Sequence, residues 1–235
     1  MRLIEPNCRM RLTGEDLDFI LEVLQPDLGS RDVLQELLLD QDTRDLILDD
    51  EKLARAVLER CGCLRISTEF YFYILVRHVL RPCGLTSRRV SDYVARLLSE
   101  FSRIERTQLR ARPDQPPLEY FCDMLAAMQQ VDDTTRFHIR VHMGNSSLFF
   151  LGIFPDRIRH RAERRGAPDL DYYERLGRSS YQAARDHRLA EEYHLTDVYD
   201  TLAEHFPTAR RALNDLGERL VHIGDPEGVR RLPYI

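Results

Sequence analysis

The chain predicts an all-α fold, a single globular bundle of about ten helices, from three observations. Apolar residues recur at i, i+3, i+4 and i+7 through most of the sequence, a spacing that lines them along one helical face. Ser, Thr and Asp stand just ahead of these runs, where a side-chain oxygen can accept an otherwise orphaned N–H. And 235 residues at 43% hydrophobic supply a core sufficient for one domain, 1–235. A proline-rich stretch at 107–117 is the one linker-like segment, and it allows a hinge between an N-terminal lobe, 1–106, and a C-terminal lobe, 118–235.

The elements follow in order. Leu17, Ile20, Leu21 and Leu24 mark the first helix, with Thr13 and Asp16 as a capping pair and Pro26 as its stop. Ser30 opens a second, with Val33, Leu34, Leu37 and Leu38 facing inward, and a short one spans Arg44 to Leu48. Asp49 or Asp50 caps a helix through Leu53, Val57 and Leu58 that ends at Cys61-Gly62. Acids crowd these helix starts, where the dipole favours them. The run 67–80 is apolar on nearly every side; its length, Ser67 at its start and Pro82 after it read as a buried helix rather than a buried strand. Thr86 caps an amphipathic helix through Phe101, and Pro117 opens one carrying Leu118, Phe121, Cys122, Leu125 and Met128. After Gly166-Ala167-Pro168, helices are expected from Asp169, around Val198 and Leu202, and from Pro207 through Leu220.

The segment 132–166 is the least ordinary. Arg136, His138, Arg140 and His142 alternate with Phe137, Ile139, Val141 and Met143, a strand's period of two, and Gly144-Asn145 would suit a hairpin turn. An isolated two-stranded hairpin among helices is marginal. A helix over 134–154, followed by a second that Pro155 starts and that runs to Arg165, is the preferred reading. Gly144, Ser146, Ser147 and Gly152 are then small residues that admit a neighbouring helix. Asn145 inside that helix needs a side-chain partner, either a clasp to a neighbour or a pocket wall.

Charge and cysteine usage narrow the class. Net charge is −5 overall, but −7 over 1–60, +6 over 61–165 and −4 over 166–235, so the basic middle has acidic ends to neutralise it. Of the 34 basic residues only Lys52 is lysine; the arginines offer forked donors suited to carboxylate or phosphate. Five cysteines (Cys8, Cys61, Cys63, Cys83 and Cys122) are an odd number without a framework spacing, which fits reduced thiols. No stretch reaches the roughly 20 apolar residues of a spanning helix, and the first residues lack a secretory apolar core. The expected setting is therefore cytoplasmic, with no membrane partner.

Three sites compete for function. Glu69, Tyr73, Arg77 and His78 lie on the apolar helix 67–80. If it packs beside 134–154, then Glu69, Tyr73, His78, His138, His142 and Asn145 form one polar pocket in an aromatic shell. On the helical reading His138 and His142 share a face at i, i+4, a spacing that can hold a metal. A metalloprotease motif would place Glu after the first His, and Ile139 stands there instead. Asp156 with His160, and Glu191 with His194, add no second motif. Arg157, Arg159, Arg161, Arg164 and Arg165, against Asp156 and Glu163, make a basic patch of +3 that could grip phosphate or an acidic partner, or pair with the acidic N-terminal helices. No phosphate loop, nucleophile elbow or complete metal set is present. The expectation is a binding module for a protein partner or small ligand, without a cofactor; a metal or cofactor enzyme centred on His138 and His142 is the alternative. Nucleic-acid binding through 157–165 comes third, disfavoured by net negative charge, and a homo-oligomer is compatible with everything above.

Overall fold

In the computed structural model, described for all residues except 1–2, 29, 61–64, 103–117, 119 and 224–235, many of the helices begin at a side-chain cap. They are α1 (Gly14–Leu28), α2 (Arg31–Leu39), α3 (Gln41–Leu48), α4 (Glu51–Glu59), α5 (Thr68–Leu80), α6 (Arg88–Phe101) and α7 (Phe121–Ala127). There follow α8 (Asp133–Ile153), α9 (Pro155–Arg165), α10 (Leu170–Arg185), α11 (Arg188–Glu192), α12 (Thr196–Glu204) and α13 (Phe206–Ile223). Short 3-10 turns stand at Cys8–Met10 and Arg81–Cys83, and no strand is present among the described residues.

Thr13 and Asp16 form the reciprocal box expected of them: the Asp16 amide donates to Thr13 Oγ1 (3.2 Å), and the Thr13 amide to Asp16 Oδ2 (2.8 Å). The same carboxylate accepts from the Ser67 amide (2.7 Å) and hydroxyl (2.8 Å), and Ser67 itself caps α5 through the Phe70 amide. One fully buried acid thus fixes two helix starts 51 residues apart. Ser30, Asp50, Asp132 and Asp169 cap α2, α4, α8 and α10.

Several boundaries differ from the sequence reading. α1 continues past Pro26 to Leu28; a proline removes a single backbone donor, and so near the end of a helix few later bonds depend on it. Val33 faces outward, 46% exposed, while Leu34 and Leu38 are buried and Leu37, partly buried, packs against the core. Ser87, not Thr86, caps α6 by accepting from the Val90 amide, leaving the Thr86 carbonyl to accept from Arg77 (2.7 Å). α7 spans Phe121 to Ala127, with Leu118 outside it and Cys122 exposed, while the expected start at Pro117 lies outside the described residues. α11, at five residues, is too short to show a period. The proposed hinge at 107–117 and the Cys61-Gly62 stop lie outside the described residues.

The segment 132–166 is two helices, α8 and α9, broken at Phe154-Pro155. Pro155 has no N–H for the Leu151 carbonyl. Asn214 of α13 satisfies it instead, its Nδ2 donating to the carbonyls of Leu151 and Gly152 (2.7 Å each). α8 packs chiefly on α10 and α13. Its small residues permit this: a Cβ on Gly144 would stand 2.8 Å from the Tyr181 ring, and one on Gly152 2.8 Å from Leu213 Cβ. α10 reciprocates at Gly177, whose added Cβ would meet Ser147 Cβ at 2.7 Å and Phe206 at 2.6 Å.

The apolar core draws from both sides of 103–117, from Ile20, Leu75 and Leu97 to Leu148, Tyr199 and Leu213. A smaller cluster, Phe121, Met124, Met128, Ile139 and Met143, joins α7 to α8. The segregated charges partly neutralise each other. Arg77 forks onto Asp49 (2.7 and 3.0 Å), Arg88 reaches Asp49 (3.1 Å) and Asp45 (3.3 Å), and Arg9 bridges Asp92 and Asp45. Burial alone would raise the Asp49 carboxyl, but the Arg77 hydrogen bonds and the Arg77, Arg88 and Arg81 charges hold it below the usual range.

Candidate functional site

Four consecutive polar or small residues of α8, Gly144 to Ser147, are all buried, and they meet two different environments. Asn145, 3% exposed, accepts at Oδ1 from the hydroxyls of both Tyr93 on α6 and Tyr181 on α10, at 2.8 Å each. Tyr199 of α12 stacks on Tyr181 (centroids 5.8 Å apart, 19° between planes) and meets Tyr93 edge-on at 5.8 Å. Burial pushes the Tyr93 and Tyr181 phenols well above their ordinary range, so both remain O–H donors. This is a clasp of four helices around one amide, the structural alternative for Asn145.

Two residues on, the surroundings change. Ser147 is 1% exposed, and its hydroxyl has no hydrogen-bond partner among the described residues. It lines a cavity of about 520 Å³ between α7, α8, α9 and the start of α10. Phe121, Phe150, Leu151, Phe154, Ile158 and Tyr173 supply its apolar lining. Arg157, Arg161, Arg164 and Arg165 supply its charge, with His160 among them and no acidic residue among the described lining residues. α9 can place them so because Arg157, Arg161, Arg164 and Arg165 lie at i, i+4, i+7 and i+8, along one face. Arg164 and Arg165 also occupy its last turn, where the helix dipole favours cations, before Gly166 ends it at φ +62°.

Arg157 lies 4.9 Å over the Phe154 ring. Arg161 Nε is enclosed without an acceptor, and Arg161, Arg164 and Arg165 form no ion pair among the described residues. Tyr173 feels both kinds of lining: burial raises its phenol and the Arg161 charge draws it back. Arg159 is separate, facing outward onto Asp156 (2.9 Å) and absent from the cavity. None of the described α9 ion pairs reaches the acidic N-terminal helices.

The six residues expected to share a pocket are instead dispersed. Glu69 binds Arg96 (2.7 Å), which also holds Glu100. Tyr73 is buried near the Arg9–Asp92 and Arg77–Asp49 pairs, which act on its titration. His78 is half-buried near Arg219 and Glu51, and burial lowers its pKa. His142 packs on Phe101 (centroids 5.7 Å). His138, also lowered by burial, borders a second cavity of about 290 Å³ with Leu3, Ile4, Tyr193 and Leu195. The reason is topological: α5 packs on α6 and α13, not along α8. Among the described residues no three His, Cys, Asp or Glu side chains gather in a metal-binding group.

The arginine patch and the polar stretch of α8, separate features in the sequence, therefore meet in one cavity. The aromatic lining carried no sequence signal beyond ordinary core residues. No helix among the described residues is long and apolar enough to cross a membrane. No protein-family model, curated protein or solved structure matches this chain.

Proposed function

We propose that this protein is a binding module that takes a small, partly apolar molecule into the cavity between α8 and α9. One observation carries the reading: a concavity of about 520 Å³, lined by rings and arginines, holds a buried Ser147 hydroxyl with no hydrogen-bond partner among the described residues. That volume falls within the range of small-molecule sites, and an apolar lining with a few convergent polar groups is their usual form. An unsatisfied buried hydroxyl costs about 1–3 kcal/mol, a cost that a ligand hydrogen bond removes. The cavity is recessed, which favours a small ligand over a flat protein face. Cys8, Cys83 and Cys122 are free thiols, in keeping with a cytoplasmic setting.

The test uses Nile red, a neutral dye that brightens in apolar surroundings, with wild type and Ala167→Trp. Ala167 borders the cavity and is only half-buried, so an indole there fills the opening without entering the core. Saturable dye binding by wild type, lost in an Ala167→Trp protein of unchanged helicity and melting temperature, is expected. Equal binding by both proteins would overturn the assignment.

A further inference from the structure

Resting on that reading, we infer that the cavity's ligand is an amphiphile with one anionic headgroup, a carboxylate or phosphate, on an apolar body. The composition of the lining is the first reason. Rings and aliphatic groups make up much of it, while every charged residue among its described members is an arginine.

The second reason is how the rest of the protein treats its arginines. Most guanidinium groups that are buried or nearly so have a carboxylate: Arg9 with Asp92, Arg77 with Asp49, Arg96 with Glu69 and Glu100, Arg210 with Glu174. Arg44 has instead the Leu38 carbonyl, to which its Nη1 donates (3.2 Å). α9 departs from that pattern. Its Asp156 is taken by Arg159, and its Glu163 is exposed and in no ion pair among the described residues. Arg161 is left with an enclosed Nε and no acceptor, with Arg164 at i+3 beside it. A guanidinium drawn out of water without a counter-charge is unfavourable, and an anion supplied from outside corrects it. Its planar fork matches the paired oxygens of a carboxylate or phosphate.

The third reason is Ser147. Its hydroxyl is a neutral donor on the α8 side of the same cavity. The anion is assigned to Arg161 and Arg164, the apolar body to Phe150, Phe154 and Ile158, and Ser147 donates to an oxygen of the ligand. A polynucleotide shares the phosphate but has no apolar body to place against those rings.

Equilibrium dialysis of labelled decanoate, decyl phosphate and decan-1-ol against the full chain decides it. The two acids are expected to bind at least about tenfold more tightly than the alcohol, the scale of one charge-assisted hydrogen bond. Arg161→Gln with Arg164→Gln should abolish that advantage and leave decan-1-ol binding unchanged. Salt at about half-molar should weaken the acids alone. Equal binding of all three would overturn the headgroup inference and leave the cavity reading standing; no binding of any would overturn both. Sedimentation with phosphatidylglycerol vesicles, without uptake of free decanoate or decyl phosphate, would show a surface patch for membrane lipid and overturn the inference. Single-stranded DNA binding as tightly as decanoate would do the same.

Discussion

Asn145 and Ser147 stand two residues apart on one helix, equally buried, yet the protein treats them in opposite ways. The amide of Asn145 is met by two tyrosine hydroxyls at 2.8 Å, and the Ser147 hydroxyl by none. The first is a polar group whose partners are all in the protein, so it specifies how α6, α8 and α10 sit together. The second borders the cavity together with Arg161 and Arg164, which form no ion pair among the described residues, so its partner is assigned to a ligand. Burial therefore does not distinguish the two, and neither does a missing partner alone, since the Tyr73, Ser180 and Tyr199 hydroxyls lack one among the described residues as well; what sets Ser147 apart is that its unpartnered hydroxyl borders the cavity.

Substitutions can break this comparison in order of size. Asn145→Ala should cost about 3 kcal/mol, since it leaves two buried phenols without an acceptor. For a chain of this length that is a melting temperature lower by roughly 10 °C, read by thermal unfolding. Restoring consistency by adding Tyr93→Phe and Tyr181→Phe should recover part of the loss; no recovery would mean that the hydrogen bonds are not what the clasp contributes. Gly177→Ala should cost about 2 kcal/mol by denaturant titration, because its Cβ would stand 2.7 Å from Ser147 Cβ and force α10 off α8. Either Tyr93→Phe or Tyr181→Phe alone should cost about 1 kcal/mol, as Asn145 keeps its other bond.

The smallest effect is one of pH. Burial lowers the pKa of both His78 and His138 from 6.5. For a group whose folded pKa is depressed, the unfolded chain binds protons first, so the stability present above 6.5 declines as pH falls through that value. The double variant His78→Gln, His138→Gln should show a shallower decline between about pH 7.5 and 5.5. An identical slope would mean that neither imidazole is desolvated in solution.

Much of the fold was legible because it is local. Thr13, Ser30, Ser67 and Asp169 announced their helices by type and position, and Pro155 announced the break between α8 and α9. A strand's alternation over 136–143 gave way to a helix because α8 is buried on several sides, which blurs any single apolar face. The pocket was less legible. Grouping His78 and Glu69 with His138 needed α5 against α8, and no local pattern decides which of two apolar helices becomes the neighbour of a third. Of the five α9 arginines grouped by sequence, Arg157, Arg161, Arg164 and Arg165 line the cavity and Arg159 does not, and their meeting with Ser147 depends on the bend at Pro155. Tyr93 and Tyr181 looked like core residues and are, their hydroxyls being useful only once Asn145 lies between them.

The most direct test of the contrast is thermal unfolding of wild type and Ser147→Ala, each with and without decanoate. The account predicts that Ser147→Ala alone melts at the wild-type temperature or slightly above it, since an unpaired buried hydroxyl has been removed, and that decanoate raises its melting temperature less than that of wild type. A Ser147→Ala protein that melts as low as Asn145→Ala, with the decanoate shift intact, would contradict it.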